Sequence, residues 1–297
     1  MQNKWKRDEP ACPSGYPPGL TLLTLAAYWV SGGCGEWLTQ IIPVCAAALT
    51  LGLVLTAGSR SFWMAALFFA AFMGEQALTV STFYYAEPFV ALLGLLGWLR
   101  LRKDQNSLSG WFVLGSTGLF KTEGLVLLFA VWLAQFICAL RVEHAGFRVC
   151  RLSSWGLRLV FAAALPLLWH VGCRMAGATF YDYAPAWEID FERFCVAFGY
   201  LLKVAFLEPW RFGFAYPIAL AIAFFAIVKL KGATCFSPSL IASAFTSLLC
   251  LVLFAWIYSY SRVPDFEWHL WSSAARLLWV PSLLVLMECR DKTARLA

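Results

Sequence analysis

Residues 121–140 read KTEGLVLLFAVWLAQFICAL, so that two opposite charges stand directly before a long, uncharged and mostly apolar run. Such a run is typical of a helix that crosses a lipid bilayer, which needs about 20 residues. Charges at the centre of such a helix cost about 2.5–3.5 kcal/mol each on insertion scales, and less near the membrane surface. We therefore expect Lys121 and Glu123 to lie at the end of a span and to hold a polar partner there.

The composition indicates a membrane protein over the whole chain. Hydrophobic residues make up 61% of the 297 residues and charged residues only 13%, and the mean hydropathy is +0.70. Because soluble domains carry about 25% charged residues, we predict an all-α fold, a polytopic transmembrane helix bundle. The net charge of +6 falls in small basic clusters between apolar runs, which indicates membrane orientation and no nucleic-acid partner. The ten cysteines show no CxxC pair or zinc spacing.

The apolar runs predict about nine spans within a single domain that covers residues 1–297. The runs are 38–57, 62–81, 84–101, 108–120, 125–140, 155–176, 212–228, 240–258 and 274–287. The shorter apolar stretch 19–30 is predicted to be a juxtamembrane or re-entrant helix. In the loop 178–211, apolar residues recur at mostly helical spacing with charges between them, which predicts an amphipathic helix lying in the interface.

Basic residues recur in every second loop, and by the positive-inside rule those loops face the cytoplasm. They are Arg60, Arg100, Arg102, Lys103, Arg141, Arg148, Arg151, Lys229, Lys231, Arg290, Lys292 and Arg295. The alternate loops then face outward and bring five polar side chains to one rim of the bundle: Glu87, Lys121, Glu123, His269 and Arg276. Each has an ordinary structural explanation, as a helix-capping acid, an interfacial ion pair or a membrane anchor. Together, fixed cations beside carboxylates suit an anionic lipid headgroup and a polar acceptor.

Four short motifs occur in an order that resembles a known family. They are Tyr16-Pro17-Pro18-Gly19-Leu20, Tyr85-Ala86-Glu87-Pro88, Lys121-Thr122-Glu123-Gly124, and the segment from Trp268, His269 and Leu270 through Ser272 and Ser273 to Arg276. Through these motifs most of the chain resembles the GT-C-type membrane glycosyltransferases that use polyprenyl-phosphate sugars. That group includes the protein mannosyltransferases and the lipid A aminoarabinose transferases.

The resemblance implies an inverting transfer of a hexosyl or pentosyl group from a polyprenyl-phosphate-linked sugar to a hydroxyl of a lipid or glycan acceptor. The expected location is the periplasmic, extracytoplasmic face of a bacterial inner membrane. Tyr16, Pro17 and Pro18 would line the donor entrance, and Lys121 and Arg276 would contact the phosphate. Tyr85, Glu87, Glu123 and His269 would shape the sugar or acceptor pocket. No cofactor is certain, although some relatives bind a divalent metal ion near the catalytic base.

The amino terminus departs from the family pattern. In the family the catalytic aspartate follows a first transmembrane helix and precedes the Tyr-Pro-Pro motif by some dozens of residues. Here only the acids Asp8 and Glu9 precede Tyr16, so the catalytic residue is unknown and we expect a chain that lacks this helix and loop.

Two alternatives to an enzyme stay open. One is a non-catalytic membrane scaffold derived from the same fold. The other is a transporter or lipid flippase, for which Glu75-Gln76 within a predicted span is the polar feature to consider.

Overall fold

The computed structural model describes residues 19–30, 37–57, 86–142, 149–175, 189–212, 214–228, 236–260 and 266–296. All regular structure within these ranges is helical, so the predicted all-α class is confirmed for this part of the chain. The helices are α1 (Gly19–Val30), α2 (Trp37–Ala57), α3 (Glu87–Lys103), α4 (Leu108–Gly115), α5 (Glu123–Val142), α6 (Val149–Met175), α7 (Phe191–Leu202), α8 (Ala215–Val228), α9 (Pro238–Tyr260) and α10 (Phe266–Leu296).

Three of these helices are long and apolar enough to cross a membrane. The segments are Glu123–Leu140 in α5, Ser153–Met175 in α6 and Pro238–Tyr260 in α9. Shorter apolar helices lie at Ile41–Leu53 and Ala215–Val228. The predicted run 108–120 is not one α-helix, because α4 ends at Gly115 and a 3-10 turn, Ser116–Leu119, follows it. The predicted run 62–81 lies outside the described residues, and the total of about nine spans stays a prediction.

Helix α9 is the centre of the bundle and packs against α5, α7, α8 and α10. Three of its hydroxyl side chains are buried, and each donates a hydrogen bond to a backbone carbonyl one turn earlier: Ser243 to Leu240, Thr246 to Ala242 and Ser247 to Ser243. Because these bonds satisfy the hydroxyls within the helix, polar residues can lie in an otherwise apolar interior.

Helices α3, α5 and α10 have their amino-terminal parts at the same end of the bundle. Glu87 begins α3, Glu123 begins α5, and ion pairs join these residues to each other through Lys121 and to Arg276 of α10. The carboxyl-terminal half of α3 contacts α10 again at Glu288, which shows that the two helices run parallel. We call the end that holds Glu87 the ion-cluster end.

Helix α7 falls inside the predicted loop 178–211. The Asp190 carboxylate accepts a hydrogen bond from the Arg193 backbone N–H at 3.0 Å, which caps the helix. Ala197 and Leu201 are buried, whereas Phe191 is 72% exposed. An amphipathic helix is therefore present in this loop, and its placement in a membrane interface stays a prediction.

Candidate functional site

Four charged side chains meet at the ion-cluster end. The Lys121 Nζ lies 2.7 Å from the Glu87 Oε1 and 3.4 Å from the Glu123 Oε1. The Arg276 Nη1 lies 3.3 Å from the same Glu87 oxygen. The two cations therefore lie side by side, because one carboxylate oxygen holds both of them. The sequence placed these four residues on one rim, and the structure brings them into direct contact.

The four side chains are largely removed from solvent. Their exposed fractions are 4% for Glu87, 8% for Glu123, 12% for Lys121 and 17% for Arg276. Charges in such surroundings are costly unless each has a partner of opposite sign. Here two carboxylates balance two cations, so that the formal charges of the cluster cancel.

The helix termini add positive potential to this balanced cluster. Glu87 is the first residue of α3 and Glu123 is the first residue of α5. The amino-terminal end of a helix carries the equivalent of about half a positive charge. Pro88, at the first turn of α3, sacrifices no helical hydrogen bond at that position. Two helix ends thus stabilise the carboxylates of Glu87 and Glu123.

Lys121 lies in the short turn between the 3-10 segment and α5. Its backbone N–H donates to the Thr117 carbonyl at 3.2 Å, and its own carbonyl accepts from the Gly124 N–H at 2.8 Å. Burial opposes the charged form of the Lys121 ammonium, but the carboxylates of Glu123 and Glu87 outweigh it and raise its pKa. Lys121 is therefore a permanent cation at physiological pH.

A small pocket adjoins the cluster. Its polar wall is formed by Glu87, Lys121, Glu123 and Arg276. Its apolar wall is formed by Val90, Leu127, Phe254, Leu277, Val280 and Pro281. A pocket with one charged wall and one apolar wall matches a ligand that has a polar headgroup and a hydrocarbon part.

A buried pair of hydroxyls extends the cluster. The Tyr258 hydroxyl is hydrogen bonded to the Ser273 hydroxyl, and both residues are buried. Ser273 lies one helical turn before Arg276 in α10, which places this pair of hydroxyls beside the cluster. Sequence reasoning placed Ser273 in a motif but missed Tyr258, because a tyrosine near the end of an apolar helix resembles an interfacial anchor.

A third buried carboxylate, that of Glu288, lies away from the ion-cluster end and was also missed. Glu288 of α10 accepts a hydrogen bond from the Trp98 Nε1 at 2.7 Å and another from the Ser239 hydroxyl at 2.8 Å. The Arg102 Nη1 lies 3.7 Å from it. The only sequence signal was an acid placed directly after the apolar run 274–287, which resembles an ordinary loop charge.

Several residues predicted for the site cannot be located in this structure. The candidate bases Asp8 and Glu9 lie outside the described residues, as do Tyr16, Pro17, Pro18 and Tyr85. His269 belongs to the first turn of α10, but its side chain lies outside the described part. The structure does place Gly19, the residue after the Tyr-Pro-Pro motif, against the turn that carries Lys121. A Cβ added to Gly19 would come within 2.7 Å of the Leu119 carbonyl oxygen.

The cluster does not suit a divalent metal ion. Among the residues that the structure describes, no group of three His, Cys, Asp or Glu side chains comes together. Glu87 and Glu123, the acids that line the pocket, already face the Lys121 ammonium. A metal ion there would have to displace a cation that both carboxylates stabilise.

No protein-family model, curated protein or solved structure matches this chain. The resemblance to GT-C-type glycosyltransferases therefore rests on the four motifs and their order.

Proposed function

We propose that the chain is a multi-pass membrane glycosyltransferase that moves a sugar from a polyprenyl-phosphate donor to an acceptor hydroxyl. The observation that carries the proposal is the pair of cations, Lys121 and Arg276, held together by Glu87 beside a pocket with an apolar wall. A phosphate that entered this pocket would meet two positive groups at once. The prenyl chain would lie against the apolar wall.

In the proposed reaction the acceptor oxygen attacks the anomeric carbon of the sugar, and the bond from that carbon to the phosphate oxygen breaks. The electron pair of the broken bond stays with the phosphate, whose negative charge Lys121 and Arg276 stabilise. The acceptor proton passes to a carboxylate base, for which Asp8 and Glu9 are the sequence candidates. Glu87 acts as a positioning residue, because it fixes the distance between the two cations.

The proposal also includes the location of the site. With about nine spans, the ion-cluster end faces the periplasmic side of a bacterial inner membrane. Helix α7, which lies in the membrane interface in this proposal, borders the same end, since the Asp190 N–H donates to the Ser259 carbonyl at 3.3 Å, near the last residue of α9. A lipid or glycan acceptor would approach from that side.

The test is transfer of radiolabelled sugar from polyprenyl-phosphate donors by the purified full chain in lipid nanodiscs. We expect Lys121→Met and Arg276→Gln each to lower kcat/KM by about 10²–10³, the size of a lost electrostatic contact in a transition state. The matched controls are Lys103→Met and Arg100→Gln, in the last turn of α3, which should retain wild-type transfer. Failure of the wild-type chain to transfer sugar from any such donor would contradict the proposal.

A non-catalytic scaffold is the second candidate, and the charge balance of the cluster is the observation that favours it. Four buried charges that cancel can serve simply to join α3, α5 and α10. On this reading, Lys121→Met combined with Glu87→Gln leaves a folded protein, and the wild-type chain neither transfers sugar nor binds the donor. Donor binding to wild-type nanodiscs, measured by microscale thermophoresis, separates the two candidates.

A further inference from the structure

The turn that carries Lys121 is held by several hydrogen bonds of its own. It runs from Gly115, the last residue of α4, to Gly124 in the first turn of α5. Thr117 lies at its centre and has no exposed surface. The Thr117 backbone carbonyl accepts from the N–H groups of both Phe120 and Lys121, at 3.1 and 3.2 Å.

The Thr117 side chain joins the two ends of this turn. Its hydroxyl lies 2.6 Å from the Leu114 carbonyl oxygen and 3.0 Å from the Gly124 carbonyl oxygen. A hydroxyl has one proton to donate, so the two carbonyls share it. Through this shared bond the end of α4 and the beginning of α5 are fixed to each other, with Lys121 between them.

The glycine at the end of the turn allows this close approach. A Cβ added to Gly124 would come within 2.5 Å of the Thr117 carbonyl oxygen and 2.7 Å of the Gly118 nitrogen. These neighbours are backbone atoms, which cannot rotate aside as a flexible side chain can. Position 124 therefore has room only for glycine, and this brings the first turn of α5 against Thr117.

We infer that Thr117 and Gly124 are positioning residues that hold the Lys121 ammonium against Glu87 and beside Arg276. The part of this inference that concerns the donor phosphate rests on the proposed function. The positioning of the Lys121 ammonium does not depend on that function. The Lys121 ammonium lies 2.7 Å from a carboxylate that is 34 residues away in the chain. Because a lysine has a flexible four-carbon stem, fixing the backbone that carries it narrows the range of positions that its ammonium can occupy. Thr117 acts on the site through the turn that carries Lys121 and Glu123. Neither Thr117 nor Gly124 lines the pocket.

The experiment compares Thr117→Val, which replaces the hydroxyl by a methyl group of similar size, with Thr117→Ser, which keeps the hydroxyl. Thr50→Val is the matched control, because Thr50 of α2 is equally buried and donates to the Ala46 carbonyl at 2.7 Å within its own helix. The first readout is the acetylation rate of Lys121 in the full chain in nanodiscs, measured by mass spectrometry relative to Lys103. The second readout is the donor KM.

We expect Thr117→Val to raise the Lys121 acetylation rate about two- to tenfold, the range that one net hydrogen bond supports, and to raise the donor KM more than it changes kcat. Thr117→Ser and Thr50→Val should retain wild-type rates. If Thr117→Val does not fold, Thr117→Ala provides the same comparison.

A failure of the positioning role can be distinguished from a failure of the proposed enzyme function. Wild-type acetylation of Lys121 in Thr117→Val overturns the positioning role, whether or not the chain transfers sugar. Faster acetylation in Thr117→Val, together with no sugar transfer by the wild-type chain, supports the positioning role and contradicts the proposed enzyme.

Discussion

Glu87 is the central residue of the ion cluster, because its carboxylate forms ion pairs with both Lys121 and Arg276. We expect Glu87→Gln to lower the free energy of unfolding by about 3–5 kcal/mol, since removing one member of a buried ion pair leaves the others uncompensated. Titration of the purified protein with SDS, followed by circular dichroism, measures this loss.

The matched control for Glu87 is Glu208→Gln. Glu208 is paired with Arg211 at 2.7 Å, but its side chain is 25% exposed and that of Arg211 34% exposed, so solvent screens this pair far more than it screens Glu87. Exposed pairs contribute about 0–1 kcal/mol. Equal losses for Glu87→Gln and Glu208→Gln would mean that the ion cluster is no more stabilising than a surface pair.

Two buried tryptophans test how strongly the hydrogen bond to the Glu288 carboxylate stabilises the protein. Trp98 donates its indole N–H to the Glu288 carboxylate, whereas Trp111 donates to the neutral Gln105 carbonyl at 3.0 Å. Hydrogen bonds to charged groups contribute about 1.5–3 kcal/mol and neutral ones about 0.5–1.5 kcal/mol. Trp98→Phe should therefore destabilise the protein by about 1–2 kcal/mol more than Trp111→Phe in the same SDS titration. A larger loss for Trp111→Phe would mean that the bond between Trp98 and Glu288 stabilises the protein less than the bond between Trp111 and the Gln105 carbonyl.

At this scale the sequence predicted the cluster well for a physical reason. A charge beside an apolar run is costly, so Lys121, Glu123 and Arg276 were conspicuous before any contact was known. Tyr258 and Glu288 were missed because their partners depend on how different helices pack. Thr117 was missed because its two partner carbonyls, those of Leu114 and Gly124, meet its hydroxyl only once the turn is folded. The hydrogen bond between Trp98 and Glu288 joins residues 190 positions apart in the chain, so no local sequence pattern predicts it.

At the scale of elements, the contact between α4 and α6 depends on a glycine. A Cβ added to Gly115 would overlap the carbonyl oxygen of Ala162 in α6. We expect Gly115→Ala to cost about 1–3 kcal/mol, the usual penalty of overpacking. Gly156→Ala in α6 is the control, because nothing lies within 4 Å of its added Cβ and alanine is favoured in a helix interior by up to about 1 kcal/mol. If Gly115→Ala and Gly156→Ala changed the midpoint of SDS unfolding equally, the close packing of α4 on α6 would be contradicted.

The helix positions themselves were largely predictable from apolar runs. The runs 125–140 and 240–258 correspond to α5 and α9, which extend beyond them by a few residues at each end. The run 274–287 was too short, because α10 begins at Phe266 and includes the aromatic residues that resembled a loop. The break at Gly115 was missed because hydropathy does not distinguish an α-helix from a 3-10 turn.

At the scale of the whole molecule, the proposed orientation predicts which surface water-soluble reagents reach. Glu192 is exposed on α7 near the ion-cluster end, and Asn106 is exposed in the turn after α3 at the opposite end of that helix. Because the native Cys195 on α7 is exposed, both substitutions are made in a chain whose native cysteines are replaced by alanine. In intact cells with a permeabilised outer membrane, an impermeant maleimide should label Glu192→Cys and leave Asn106→Cys unlabelled until the inner membrane is opened. The reverse labelling would invert the orientation.

The ion pairs between α3 and α10 have opposite polarity at their two contacts. At the first, the acid Glu87 belongs to α3 and the base Arg276 to α10; at the second, the base Arg102 belongs to α3 and the acid Glu288 to α10. Sliding one helix along the other by a single turn, about 5.4 Å, would break both pairs together. In a shifted alignment both pairs are lost, and in an inverted alignment acid would face acid and base would face base. The two pairs therefore favour one parallel register of α3 and α10, which hydrophobic packing alone would not specify.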